Sequence, residues 1–386
     1  MVTKMSRALA GLKVLDMSMN LPGPYMTWLL AALGAEVIKL ENPAGGDYAR
    51  ALGGGKDSPF FAAVNRNKKS VTLNLKHPEG KRLFLKLADT CDVVVEGFRP
   101  GTMERLGLDY DVLSASNSRL IYVSITGYGH AGPFRFRAGH DVNYLSLAGI
   151  IGMSGTRGGD PAIPGVQIAD LAGGSLMALS GLLAAIIQRE KTGRGQFVDA
   201  AMFDGALSLA TMVFSGVQAG LERAEAGKML LTGRFPCYGL YRTSDGKYMS
   251  LGALEPKFWG NFCMVVDRKD LISEQFGAAD VVAEVQQIFA SRTRNEWVEL
   301  LKDSDACCEP VLSLDEAVDS PLAEARAMIT KSSDGFRYLS SPIRLSDSPA
   351  ADDQPAPNLG EHTLEILGEL GLSAADLESL AQQGVI

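Results

Sequence analysis

At 386 residues, 46% of them hydrophobic and 21% charged, the chain is long enough for one large domain or two ordinary ones, each with its own core, and it is not a disordered polymer. A formal net charge of −8 offers no basic field to phosphate backbones or anionic lipid. Nucleic acid and membranes are therefore not expected partners, and an anionic ligand would have to be held by a few local cations. Cysteines at 91, 237, 263, 307 and 308 lack Cys-x-x-Cys spacing and are odd in number, which argues against a disulfide framework and for a reducing cytoplasm.

The start, Met1 to Gly11, has neither the apolar region of a secretion signal nor an Arg- and Ser-rich transit peptide. From there short β-rich runs alternate with helical patterns, the sign of a parallel sheet with crossover helices. The first run is Leu12 to Asp16, followed by a Pro-Gly-Pro start and a helix from Tyr25 to Leu33 that Gly34 ends. The next runs are Glu36 to Leu40, Val71 to Leu75, Asp92 to Glu96 and Leu120 to Ile125, with His77-Pro78-Glu79-Gly80 opening a helix after the third. No Gly-x-Gly-x-x-Gly follows the first run, so a nicotinamide or flavin cofactor is disfavoured.

A buried helix is expected from Asp170 to Arg189, then a strand at Gly195 to Asp199 and a helix from about Phe203 to Ala219. The apolar stretch Gly173 to Gln188 is too short and too interrupted by Gly and Ser to read as a membrane span. Beyond the polar stretch Leu221 to Lys228, Ser244-Asp245-Gly246 between β-rich runs marks a hairpin, and a small α+β domain is expected over 225–330. Ser346 to Pro357 reads as an extended surface segment before helix-forming sequence returns at Asn358.

Four groups of residues carry the chemistry. Asp170 opens its helix among apolar and glycine neighbours, where it could act as an N-cap, as a catalytic carboxylate, or as both. His140, in Gly139-His140-Asp141, is either a structural histidine beside a carboxylate or an acid–base group. Glu255 stands before Pro256 at a helix start and admits the same two readings. Arg99 and Arg105 follow the strand at 92–96, where parallel-sheet folds bind ligands. No His, Cys or Glu set has metal-ligand spacing, and no metal is expected.

Taken together, Leu12 to Asp16, Leu33 to Lys39, Asn67 to Asn74, Phe98-Arg99-Pro100-Gly101, Gly193 to Gln196 and Asn358 to Thr363 resemble the family III CoA-transferase (CaiB/BaiF) superfamily. The resemblance runs nearly end to end and is closer to the α-methylacyl-CoA racemases. It implies a Rossmann-like, doubly wound large domain, 1–220 plus 331–386, with the small α+β domain inserted, in an interlocked homodimer. Coenzyme A would be part of the substrate, and no separate cofactor is implied.

Both branches of the superfamily have the aspartate matching Asp170. Transferases use it as a nucleophile that becomes an aspartyl thioester, often with a glycine run in the small domain. Met229 to Cys237 has no such run. Gly139-His140-Asp141-Val142-Asn143-Tyr144 matches the racemase motif instead, and Leu254-Glu255-Pro256 supplies the glutamate that supports the histidine there. The implied activity is inversion at the α-carbon of a 2-methylacyl-CoA by proton transfer through an enolate, with His140, oriented by Glu255, on one face and Asp170 on the other.

Amides at the start of the Asp170 helix or beside Asp141 would hold the enolate oxygen. The alternatives are transfer of coenzyme A between carboxylic acids and, last, a non-catalytic acyl-CoA-binding subunit. By the same resemblance Asn20 and Leu75 line the nucleotide and pantetheine path, and Lys76, Arg99 and Arg105 are the phosphate candidates. The basic residue often found after the second strand is replaced here around Glu41-Asn42-Pro43. Met153, Phe203, Phe235 and Tyr238 are candidates for the acyl wall.

Overall fold

The computed structural model describes residues 7–53, 58–332, 335–351 and 353–386. The alternating pattern folds into a sheet of six parallel strands: β1 (Lys13–Asp16), β2 (Glu36–Glu41), β3 (Lys69–Thr72), β4 (Val93–Glu96), β5 (Ile121–Thr126) and β6 (Phe197–Ala201). Their order is 3-2-1-4-5-6, that of the dinucleotide-binding folds, with the reversal of winding between β1 and β4. Val14, Leu15, Val93, Val94 and Val95 are all fully buried, as unbroken apolar runs in a two-sided sheet must be. The third strand starts two residues earlier than its apolar run.

Helices α1 (Pro22–Ala32), α2 (Pro59–Asn65) and α3 (Pro78–Asp89) all begin with proline, whose missing N–H is no loss in a first turn. His77 caps α3 by accepting the Glu79 N–H at 3.2 Å. Short α4 (Thr102–Leu106) and α5 (Tyr110–Ser116) lead into β5. The chain end returns to the edge strand: the Asn74 N–H donates to the Val385 carbonyl at 2.7 Å, and Ile366, Leu367 and Leu380 join the core beneath β3.

Two compact units emerge, Met1–Ala148, Gly165–Leu209 and Glu324–Ile386 in the first, Gly149–Pro164 and Ala210–Ala323 in the second. The boundaries drawn from sequence, 225–330 for the small domain, leave Gly149–Pro164 with the large one. Arg157 explains the difference, since its guanidinium donates to the carbonyls of Gly227 and Gly233 in the second unit. The second unit holds an antiparallel sheet of three strands, β7 (Tyr238–Arg242), β8 (Tyr248–Gly252) and β9 (Cys308–Pro310), with the hairpin at Ser244-Asp245-Gly246 where turn chemistry put it. Trp259, Phe262, Phe289 and Trp297 fill its core.

Two expected helices differ in the structure. The helix from Asp170 runs over Ala169–Thr192 but is only partly buried, with Leu176, Met177 and Ile187 exposed. By length and composition its 24 residues would suffice to cross a bilayer, which the apolar run alone did not suggest; its inner side packs on β5 and β6. The helix expected from Phe203 to Ala219 breaks at Leu209 and Ala210, where the chain passes from one unit to the other.

Under the carboxyl ends of β1 to β3 lies a buried network of charges. Lys68 donates to Asp16 (3.1 Å), Thr27 (2.7 Å), Asn65 (2.9 Å) and the Pro24 carbonyl (3.0 Å). Lys39 pairs with Asp47 at 2.8 Å, and Arg50 grips Glu41 through two bonds of 2.7 Å. Burial opposes the charge on Asp16, but Lys68, Lys39 and the hydroxyls of Ser18 and Thr27 win and hold its carboxyl at about 2. Burial also lowers Lys68, to about 8, against the pull of Asp16. Lys68→Ala strands a buried carboxylate, and we expect it to cost about 3–5 kcal/mol in urea unfolding at pH 7.

Candidate active site

The site residues of the first unit gather where two helices meet. Helix α6 (Asp141–Leu147) starts after the loop from β5, with His140 as its N-cap: the His140 N–H donates to the Asn143 side chain at 3.0 Å. The His140 ring is exposed. One residue on, the buried Asp141 turns its carboxylate to the second helix and accepts the N–H groups of Ala169 (2.7 Å) and Asp170 (3.1 Å) through one oxygen. Tyr144 closes the motif, donating its hydroxyl to the Gly139 carbonyl at 2.6 Å. Its ring lies so close to Gly127 and Gly139 that a Cβ at either position would fall 2.5 or 2.7 Å from it.

The helix that carries Asp170 begins π-helical over Ala169–Leu176 and becomes α7 (Met177–Thr192). Such wide turns cost hydrogen-bond quality and occur mostly at functional sites. The cause here is local packing. Gly173 and Gly205 of α8 (Met202–Ser208) press backbone on backbone, and a Cβ on Gly205 would sit 2.0 Å from the Gly173 carbonyl. The Ser175 hydroxyl lies within bonding distance of the carbonyls of Pro22 (2.6 Å) and Asp170 (3.0 Å).

Asp170 is half-buried, and among the described residues no cation forms an ion pair with its side chain. Burial, reinforced by the Asp141 charge, pushes its carboxyl up to about 7. Its cap reading is answered by Asp141, which supplies the oxygen for these amides. Asp170 is thereby free for chemistry as an acid, base or nucleophile near neutral pH. The same finding narrows the amide question: the N–H groups of Ala169 and Asp170 are already taken.

The nucleotide candidates fall into two places. Leu75, Lys76, Phe98 and Arg105 line one cavity of about 460 Å³ at the carboxyl ends of β1 to β4, together with Ser18, Lys39 and Tyr48. This is the switch point of the sheet, where such folds take ligands. Asn20 adopts a left-handed φ of 63° just beyond β1, its N–H donating to Asp47 at 2.9 Å. Arg99 departs from the group. It lines a smaller cavity of about 270 Å³ with Glu96, Glu104, Asp109 and Asp111, an acidic setting unsuited to phosphate.

In the second unit Glu255 is the N-cap of α9 (Pro256–Val265), but its carboxylate makes no cap bond and is exposed. The capping alternative is thus not realised. Phe235 stacks edge-on to Phe276 at 5.3 Å, and both Phe235 and Tyr238 pack against that unit's core. Sequence reasoning missed Lys39, Lys68 and Glu96, each of which has a partner distant in the chain: Ser18 for Lys39, Asp16 for Lys68 and Ser124 for Glu96. Among the described residues no three His, Cys, Asp or Glu side chains gather as a metal site.

The description of CoA-transferase family III matches residues 9–363 of the chain. The α-methylacyl-CoA racemase of Homo sapiens is 34% identical, over 98% of this chain and 97% of its own length. An acyl-CoA transferase of Fusarium pseudograminearum is likewise 34% identical, over 98% of this chain and 88% of its own. A CaiB/BaiF family protein of Brucella suis, known by crystal structure, superposes with a TM-score of 0.82 at 31% identity, covering 95% of this chain and 100% of that one.

An acid pushed up to 7 is protonated more readily in the folded chain than in the unfolded one, so folding stability is greatest below about pH 4 for this group and falls as pH rises to 7. Asp170→Asn removes the penalty. Its melting temperature should exceed that of the parent at pH 8 and match it near pH 4, as read by differential scanning calorimetry.

Proposed function

Since the chain belongs to CoA-transferase family III and is an enzyme acting on CoA thioesters, we propose that Asp170 is its reacting group and that it transfers coenzyme A between carboxylic acids. The observation that carries the assignment of Asp170 is its lone carboxyl, half-buried at a π-helical turn whose amides Asp141 already satisfies. Transfer is the better supported of two activities, because the family is described by it and most of the similar proteins are named for it.

In this reading the ionised Asp170 attacks the thioester carbonyl and expels the CoA thiolate, leaving a mixed anhydride. The thiolate then attacks the aspartyl carbonyl, releases the first acid and leaves an aspartyl thioester, which an acceptor carboxylate takes over by the reverse steps. A tetrahedral oxyanion needs preorganised donors. With the amides of Ala169 and Asp170 occupied, the first-turn N–H groups of α6 at Asp141 and Val142 are the donors we assign.

Racemisation is the second reading, and His140 favours it. Its imidazole is exposed one residue from the carboxylate that caps the Asp170 helix, and an acid–base group near 7 suits proton exchange at an α-carbon. Glu255, which the racemase resemblance pairs with this histidine, makes no cap bond and is exposed in its own unit. A homodimer is part of either proposal, supported by the apolar residues Leu176, Met177, Ile187, Met212 and Phe214 left exposed on the chain.

Incubation with a 2-methylacyl-CoA and a labelled free acid in heavy water separates the two. We expect the label to appear in new thioester without deuterium at the α-carbon, at a rate rising with pH to a plateau above 7. Deuterium uptake without transfer would replace the first reading by the second. Asp170→Asn should lose at least 1000-fold in rate by either route, on the scale of removing a covalent or acid–base group. His140→Ala should leave transfer within about ten-fold; were racemisation the activity, the same variant would abolish deuterium exchange.

A further inference from the structure

We propose that Glu96, Ser124 and His130 form a proton-sharing relay, buried at Glu96 and Ser124 and half-buried at His130, that positions the Phe98–Gly101 loop and makes the hold on coenzyme A depend on pH. The ligand rests on the acyl-CoA reading above; the relay itself does not.

Glu96 is the last residue of β4 and pairs in register with Ser124 of β5, which brings the two side chains together. Glu96 is 2% exposed and Ser124 fully buried. One Glu96 oxygen is in hydrogen-bond contact with the Ser124 hydroxyl, and the other accepts the Phe98 N–H at 2.7 Å. On the far side, Ser124 Oγ lies 2.7 Å from His130 Nε2. His130 is held from β6: its backbone N–H donates to Asp199 at 3.0 Å, and its ring stands edge-on to Phe197 at 5.0 Å. Three adjacent strands thus fix the three groups in a line that ends on the loop amide.

A hydroxyl between a carboxyl and an imidazole has two arrangements. It accepts from the neutral acid while donating to the bare Nε2, or it donates to the carboxylate while accepting from Nε2–H. Loss of one proton from the pair to solvent, with the remaining imidazole N–H placed on Nε2, converts the first into the second, acid plus imidazole to carboxylate plus imidazole, with every bond kept. Burial, with lesser contributions from the charges of Glu104 and Asp199, pushes Glu96 up to about 7 and so into the range of an imidazole. The other groups facing the cavity are Arg99 from the loop, Asp109, Tyr110 and Asp111 from the α5 side, and Tyr122 from β5.

The loop senses which state is present. A carboxylate holds the Phe98 N–H by a charge-assisted bond, about twice as strong as the bond to a neutral acid. Phe98 lines the larger cavity with Lys76 and Arg105, so firmer pinning of its backbone preorganises the site. Coenzyme A should bind more tightly as pH rises through neutrality.

The test is calorimetric titration of CoA at pH 6 and pH 8. Glu96→Gln keeps an oxygen for Phe98 but cannot titrate, so it reports the ligand's own pH dependence. The ratio of Kd at pH 6 to Kd at pH 8 should be about five-fold larger in the parent than in Glu96→Gln, with Ser124→Ala close to the variant. Equal ratios in all three, or full pH dependence retained in Ser124→Ala, overturn the proposal. If the parent binds no CoA at either pH, the acyl-CoA reading fails, and carbon-13 NMR of the Glu96 carboxyl judges the relay alone. Ser124→Ala should raise the Glu96 midpoint, and an unmoved midpoint overturns the relay.

Discussion

One carboxylate organises the site. Asp141 caps the helix of Asp170 across a gap of 28 residues in sequence, and because it sits in the first turn of α6 it ties His140 and Asp170 into one rigid corner. The bond satisfies two amides that would otherwise be orphaned at a buried helix start. Its charge also acts at a distance, because a like charge beside a half-buried carboxyl makes ionisation of Asp170 harder. Capping and tuning are thus performed by the same oxygen, and neither helix could shift without losing both.

The sheet supplies the other half of the geometry. Winding reverses between β1 and β4, so the loops carrying Asn20 and Phe98 part there and open the larger cavity. Floors of such clefts are weak points when strands are short. Here Lys68, Lys39 and Arg50 stitch β1, β2 and the turn after β2 together through Asp16, Asp47 and Glu41. Glu41, in the Glu41-Asn42-Pro43 stretch where the resemblance led us to expect a basic residue, is held by Arg50 and is part of this scaffold. Of the phosphate candidates, Lys76 and Arg105 line this cavity, whereas Arg99 lines another among carboxylates.

Strand positions, the proline-led helices and the Ser-Asp-Gly hairpin were legible because each follows from local periodicity or turn chemistry. Asp170, His140 and Glu255 stood out as candidates through motifs, each a carboxylate or imidazole in a recognisable run. The π-helical turn was not, because it arises from the contact of Gly173 with Gly205, two glycines that read as unremarkable spacers. Exposure of Leu176 and Ile187 was hidden for a related reason: an apolar run looks buried whichever surface covers it.

By itself the sequence determined the parallel α/β architecture, the family and the residue types at the reacting centre, since these depend on patterns within a few residues. Only the tertiary structure decided what those residues are in a position to do. It gave the cap to Asp141 instead of Asp170, set Arg99 in a cavity apart from Lys76 and Arg105, and joined Glu96 to His130 through Ser124. Burial and the charge of a distant neighbour set proton affinity, and both are properties of packing that no local pattern encodes.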